Sequence, residues 1–274
     1  MTVRAPAVAG IFYPGRAEDL RRTIDGLIPA GPKERVVALV APHAGYVYSG
    51  RVAGAVYGRV EIPAEVVVLC FNHRGRGSAF ALPPQDAWRT PLGDAPVDAA
   101  LLGRIRSAFP EAEPDAAGHD EEHSGEVQVP FLQRLRPGVR IAPVALSGGL
   151  DDAGFERLRR FGRALAEVEG DFLVVASTDL NHYEDQETTL RKDGAAIRAM
   201  EALDEEGLRE TLTREDVSMC GAAPVVAALA YAKARGARRA RTVLHATSGD
   251  VTGDYGRVVG YVGMTIPPGN ESDQ

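Results

Sequence analysis

Six short apolar runs punctuate the chain: Val36–Ala41, Val66–Phe71, Val139–Ala145, Phe172–Ser177, Thr242–Thr247 and Val258–Ile266. The first four show no alternation of apolar and polar positions, the pattern of strands covered on both faces. Helical stretches lie between them. Ala17–Ile28 follows a proline turn, and Val52–Val60 and Val97–Phe109 are further candidates. Asp151–Val168 opens on an aspartate and ends before Gly170, and Asp193–Leu203 and Ala222–Arg235 complete the set. Strand and helix in alternation predict an α/β fold with a mostly parallel central sheet and helices on both faces. Pro83–Pro96 and Glu111–Glu126 read as long irregular stretches, which in compact domains are often functional. Residues 1–266 are expected to form a single domain, and residues 267–274, polar with two prolines, a flexible tail.

Composition narrows the function. The chain has 274 residues, 45% of them hydrophobic and 25% charged, ordinary globular proportions that exclude a disordered, collagen-like or coiled-coil chain. A chain of this size buries enough surface to fold without a disulfide or a structural metal. The 31 basic and 38 acidic residues give a formal charge of −7, which argues against nucleic acid or an anionic membrane as partner. No run approaches the length of a membrane span. Two cysteines make no secreted disulfide framework, and the first residues show no signal pattern, so the expected compartment is a reducing cytoplasm.

The six histidines are informative by position. His43 stands two residues beyond the first apolar run and His73 two beyond the second. Asp179 and His182 follow the fourth, and Asp250 and Asp254 follow the fifth. In open α/β sheets ligands bind outside the carboxyl ends of the strands, so parallel neighbours would bring four such loops to one rim. His123 lies in a polar loop before a helix, with Ser124 as a possible cap, and is open to either a functional or a solvated reading. His119 reads as a surface residue, and His245, inside an apolar strand, as a hydrogen-bonded core histidine. Cys220 immediately precedes Gly221 and an apolar helix, where the positive helix end favours thiolate, whereas Cys70 reads as a buried hydrophobe. Phosphate-loop, dinucleotide, nucleophile-elbow and His-Glu-x-x-His motifs are absent from the sequence. What remains, two or more His with an Asp and a Cys, is the donor chemistry of a first-row transition metal.

Six motifs in order resemble the Memo-like family, called AmmeMemoRadiSam system protein B in prokaryotes. They are Arg4-Ala5-Pro6-Ala7-Val8-Ala9-Gly10-Ile11-Phe12-Tyr13-Pro14, Pro42-His43-Ala44-Gly45-Tyr46-Val47-Tyr48-Ser49-Gly50, Asn72-His73-Arg74-Gly75, the stretch Glu122–Leu132, Ser177-Thr178-Asp179-Leu180-Asn181-His182-Tyr183, and Met219-Cys220-Gly221. The resemblance implies the fold of the class III extradiol, protocatechuate-type dioxygenases, which hold non-haem iron with two His and a carboxylate. In the Memo-like branch a Cys replaces the carboxylate. It therefore implies His43, His73 and Cys220 as metal ligands, with Fe(II) the expected cofactor and Cu or Zn the alternatives. His123, Asp179 and His182 would be catalytic residues lining the same pocket, Asp179 reaching the His182 imidazole across a turn. The implied function is a metal-dependent redox enzyme acting on a small-molecule substrate. A metal- or peptide-binding adaptor and a zinc hydrolase are the alternatives. AMMECR-type and radical-SAM proteins are the implied pathway partners. One departure stands out: Cys70-Phe71 occupies the place of the family's usual Gly-Pro, so that Phe71 is expected to narrow the pocket beside His73.

Overall fold

The computed structural model of the chain describes residues 1–269. From position 270 on, the tail expected at 267–274 lies outside the described residues. In chain order the first elements are β1 (Val3–Arg4), α1 (Ala17–Leu27), β2 (Ala38–Ala41), α2 (Tyr46–Tyr57), β3 (Glu65–Phe71), β4 (Phe80–Leu82), β5 (Ala87–Thr90) and β6 (Gly93–Pro96). There follow α3 (Ala99–Ala108), β7 (Glu113–Pro114), a 3₁₀ turn over Glu126–Gln128, α4 (Val129–Leu135), β8 (Arg140–Leu146), α5 (Asp152–Ala166) and β9 (Phe172–Ser177). The last are β10 (His182–Glu184), α6 (Gln186–Glu201), α7 (Glu205–Arg214), α8 (Ala222–Ala234), β11 (Arg241–Thr247), α9 (Gly249–Thr252) and β12 (Val258–Ile266).

Among the described residues the central sheet has nine strands. Its middle, β2-β9-β3-β8, is parallel throughout. Antiparallel pairings flank it: β4 joins β8 on one side, with β7 parallel beyond it, and β12 joins β2 on the other, carrying β11 and β10 as further antiparallel partners. The β-branched residues of the apolar runs suit this extended, doubly covered position. Alternate residues of each strand feed two separate cores. Val67, Leu69, Val174 and Ala176 pack with α3, α5, α6, α7 and α8, among them Leu101, Phe161, Met200, Leu208 and Val226. Val66, Val68, Leu173 and Val175 pack with α1, α2 and α4 through Ile24, Val56 and Phe131. Helices on both faces, as the alternation predicts, bury every residue of β9.

Several boundaries differ from the sequence expectation, each for a physical reason. Helix α2 begins at Tyr46, six residues before the predicted Val52, because buried glycines and a serine, Ser49, Gly50 and Gly54, blur its apolar stripe. Helix α6 begins at Gln186 rather than Asp193. Its first turns are polar and are started by Asp185, whose side chain accepts from the Thr188 N–H. Helix α7, unexpected from the pattern, is similarly polar and is capped by Asp204 on Gly207 N–H. Asp151 caps α5 as predicted, accepting from Gly154 N–H. Pro83–Pro96 is not irregular: it holds the β5–β6 hairpin, which with β1 makes a small three-stranded sheet.

Helix α8 is buried on almost every side, from Ala222 to Ala232, so it shows no amphipathic period. Its closest neighbour is α5. A Cβ on Gly162 of α5 would collide with the carbonyl oxygen of Ala227 and crowd Ala230 Cβ at 2.8 Å. We expect Gly162→Ala to lower stability by about 1–3 kcal/mol through overpacking, outweighing the gain in helix propensity of about 1 kcal/mol. Gly103→Ala in α3, where a Cβ meets nothing within 4 Å, should be neutral or stabilising. Urea denaturation of both variants checks the pair; equal midpoints would show that α5 and α8 separate without cost.

Candidate metal centre

The parallel register sets the site. Ala41 at the end of β2 lies opposite Ser177 at the end of β9. His43, two residues on, therefore comes beside Ser177, with its Nδ1 2.9 Å from the Ser177 Oγ. That hydroxyl has one proton, which it donates to the Ser124 carbonyl at 2.7 Å. It accepts from Gln128 Nε2 at 2.9 Å, and must also accept from His43. His43 thus carries its proton on Nδ1, leaving the Nε2 lone pair free. That Nε2 stands 3.1 Å from the Cys220 sulfur.

His73, beyond the end of β3, likewise directs an Nδ1–H at a fixed acceptor, here a different partner. Its Nδ1 is 3.0 Å from Glu122 Oε1, and the same carboxylate accepts its backbone N–H at 2.7 Å and that of Ser124 at 2.7 Å. Burial opposes ionisation of Glu122, but the His73 contacts and the Ser124 N–H hold its carboxyl at about 2, so it is the charged acceptor. Cys220 arrives from the other core layer, just before α8. Its sulfur accepts from the Asp179 N–H at 3.4 Å, and the next residue, Gly221, donates its N–H to Thr178 Oγ1 at 3.1 Å. A side chain at Gly221 would collide with the Ser177 carbonyl oxygen, so the close approach of α8 to the β9 end requires glycine.

His43, His73 and Cys220 each offer one donor atom, all within 4.8 Å of one another. Two further groups share members with this one: His73 with Glu122 and His123, and Asp179 with His182 and Cys220. Such groups could hold a metal ion, and the N, N, S donor set fits a first-row transition metal. The His73 and His123 rings are stacked at 4.6 Å, and the His43 ring meets both at 5.2 and 5.4 Å. Burial, followed by the neighbouring His123 and His73, pushes His43 well below the ordinary imidazole range, and burial takes His123 down to about 4. His43 and His123 are therefore neutral near pH 7, the form that binds metal.

The six sequence-predicted residues lie in three overlapping groups, but some contacts differ from those expected. Asp179 does not hydrogen-bond His182. Its Oδ1 accepts the His43 N–H at 2.8 Å and the Ala44 N–H at 3.4 Å, tying the β2–α2 loop to β9. Burial raises its carboxyl to about 7. His182 instead directs Nδ1 to the Ser218 carbonyl at 2.9 Å. Ser124 caps no helix and donates to the Phe71 carbonyl at 2.9 Å. His119 is not on the surface. It is fully buried, with Nε2 2.9 Å from the Ala81 carbonyl. His245 is hydrogen-bonded as expected, to Asp193 at 2.8 Å, but its ring is only partly covered. Asp250 and Asp254 stay out of the cluster and accept turn N–H groups from Thr247 and Gly256. Phe71 packs edge-on against His73 at 4.9 Å. Sequence reasoning missed Glu122, Ser177 and Gln128 as the partners that orient the imidazoles. Glu122, a carboxylate beside His123 in a polar loop, carried the available signal.

The helix start does not make Cys220 a ready thiolate. Burial, reinforced by the Asp179 charge, pushes its thiol well above the ordinary range, because the dipole of one helix end is smaller than the cost of desolvating a charge. Burial also raises Cys70, whose side chain is fully covered. Iodoacetamide at pH 8 should therefore modify Cys220 slowly and Cys70 not at all in metal-free protein, as peptide mass mapping will show. Faster labelling of Cys70 would contradict the packing.

The family described as Memo-like protein matches residues 4–265. A MEMO1 family protein of Aquifex aeolicus is 43% identical over 269 residues, covering 96% of this chain and 99% of that one. One from Thermotoga maritima is 42% identical over 282 residues and one from Methanopyrus kandleri 38% over 285, covering 96% and 97% of this chain and 99% of each relative. A crystal structure of an uncharacterized protein from Escherichia coli K12 shares the fold at a TM-score of 0.52 and 18% identity, over 84% of this chain and 100% of that one. By family match and near full-length identity, the chain belongs to the Memo-like protein family.

Proposed function

We propose that this chain is a metal-dependent redox enzyme related in chemistry to the extradiol dioxygenases, with His43, His73 and Cys220 as the ligands of a ferrous ion. The observation that carries the reading is the pair of Nδ1 contacts. Ser177 and Glu122 each accept a hydrogen bond from the Nδ1 of one imidazole, and the Nε2 of His43 stands at the Cys220 sulfur. Imidazoles oriented by carboxylate or hydroxyl partners are the usual support of a metal site. Imidazole suits iron, copper and zinc, and thiolate draws the preference toward softer ions, so copper is the nearest alternative. When bound, the ion supplies Lewis-acid and one-electron chemistry at its open positions.

The remaining residues then hold and move protons. Asp179, with its carboxyl near 7, can keep or release a proton beside His43, whose Nε2 lies 3.9 Å from Oδ2. His123, neutral and stacked on His73, is placed to accept one from a substrate, and His182 faces the same cluster through Asp179 and Cys220. A second reading, a binding module using the same rim, is favoured by Val47, Tyr48 and Tyr183. These are exposed at 68%, 43% and 64% and follow closely on His43 and His182 in the chain.

Metal analysis of protein purified without oxygen, followed by O₂ uptake with catechol-like compounds, tests the proposal. Stoichiometric iron with substrate-dependent uptake supports it; metal without uptake favours the binding module, and zinc alone the hydrolase. His43→Ala and Cys220→Ala should each abolish tight metal retention while leaving cooperative melting intact, since the core folds without the ion. His123→Gln and His182→Gln should retain metal and lose turnover by roughly 10²-fold or more. Loss of metal from either as complete as in His43→Ala would make that residue a ligand.

A further inference from the structure

We infer that the N-terminal segment from Arg4 to Tyr13 is a positioning strap that sets the His73 imidazole through Glu122. The inference rests on the reading of His73 as a metal ligand. Arg4 is buried to 3% exposure, and each arm of its guanidinium is used on the loop that carries Glu122. Nε donates to the His119 carbonyl at 2.7 Å, Nη2 to the Glu122 carbonyl at 2.6 Å, and Nη1 to the Glu126 carboxylate at 2.7 Å. Its plane lies over the Trp88 ring, 4.4 Å from the centroid, and the β1–β5 register sets Arg4 opposite Trp88. The small sheet thus holds the guanidinium in place.

Glu126, also buried, is satisfied by this one segment. Besides Arg4, it accepts from the Ala7 N–H at 2.7 Å, the Val8 N–H at 3.0 Å and the Tyr13 hydroxyl at 2.7 Å. The loop is therefore fastened at residues 119, 122 and 126 by a stretch remote in sequence. At its middle, the Glu122 backbone is held by Arg4 while the Glu122 carboxylate holds His73 Nδ1 and N–H. A planar fork reaches these three acceptors from three separate nitrogens, a span that an ammonium, with its donors on one atom, does not cover. A buried ion pair can often be replaced by apolar or neutral groups with little loss of stability, so the role of this pair is to be sought in geometry.

The test uses full-length protein carrying Arg4→Lys, which keeps a cation at Glu126 but cannot span the two carbonyls, and the double variant Arg4→Met/Glu126→Gln, which leaves no buried charge unpaired. Nitrogen-15 spectra of the imidazoles in metal-free protein read the tautomers directly, and anaerobic titration with Fe(II) alone reads affinity. We expect both variants to melt cooperatively and His73 to lose its uniform Nδ1–H signature. His43, fixed by Ser177, should keep its own, and Fe(II) affinity should fall about tenfold or more. An unchanged His73 signature in a cooperatively folded variant overturns the strap. So does an equal disturbance of His43, which a general loosening would produce, or failure of both variants to fold. Wild-type protein that retains no Fe(II) would defeat the metal reading alone, because the His73 and His43 comparison in metal-free protein still decides the strap.

Discussion

In-register parallel pairing of β2, β9, β3 and β8 is the constraint from which the site follows. Ala41 faces Ser177, Leu69 faces Ala176, and Phe71 faces Leu146, so the strands deliver their following loops to one level. The register is strongly specified because both sheet faces are buried. A slip of one residue would exchange Val66 and Val68 with Val67 and Leu69 between two differently shaped cores. Each buried side chain of this kind contributes about 1.5–3 kcal/mol, and a slip puts many of them at stake together. His43, His73 and Asp179 inherit that precision without contributing to it.

Above the strand ends, the dominant cost is desolvation of polar groups, and hydrogen bonding offsets it with little slack. Ser177 Oγ has one proton and uses it on Ser124, so its remaining acceptor capacity goes to Gln128 and His43. Gln128 spends its donors on Ser177 and the Pro42 carbonyl and accepts from the Tyr57 hydroxyl at 2.9 Å. Because each group has its capacity filled in one arrangement, the network specifies proton positions as well as atom positions. The His43 Nε2 is left over, beside the Cys220 sulfur, as a consequence of this arithmetic.

The sequence made the strand ends legible because a doubly buried strand must be a continuous apolar run, and polar residues just beyond it are conspicuous. His43, His73, Asp179 and His182 were visible for that reason. Cys220 and His123 stood out too, before a helix and in a polar loop, but were open to a bland reading until the family motifs favoured the functional one. Less was legible where a residue's surroundings come from far along the chain. Nothing near His119 predicts its burial under Trp88, 5.5 Å away between ring centroids, because β5 was hidden in a stretch rich in turn residues. Asp179 was assigned to the nearest histidine in sequence, whereas the parallel pairing with β2 gives it the backbone of His43 instead. Polar helices such as α7 escaped the apolar pattern because caps start them and only a few residues, such as Leu208 and Leu212, are buried.

Cys220 differs from the two histidines in how it is held, and the difference bears on the chemistry. The sheet register does not reach it. Its position depends on α8, which is wedged between the sheet and α5 and meets the β9 end through Gly221 and Thr178. The third donor therefore belongs to one core layer, while Gln128 and the segment that follows Glu122 belong to the other. Tight packing on both sides of the sheet transmits small displacements instead of absorbing them. A change in either layer is thus felt at the Nε2–sulfur distance, and the contact between His43 and Cys220 is where the two halves of the fold are brought into agreement.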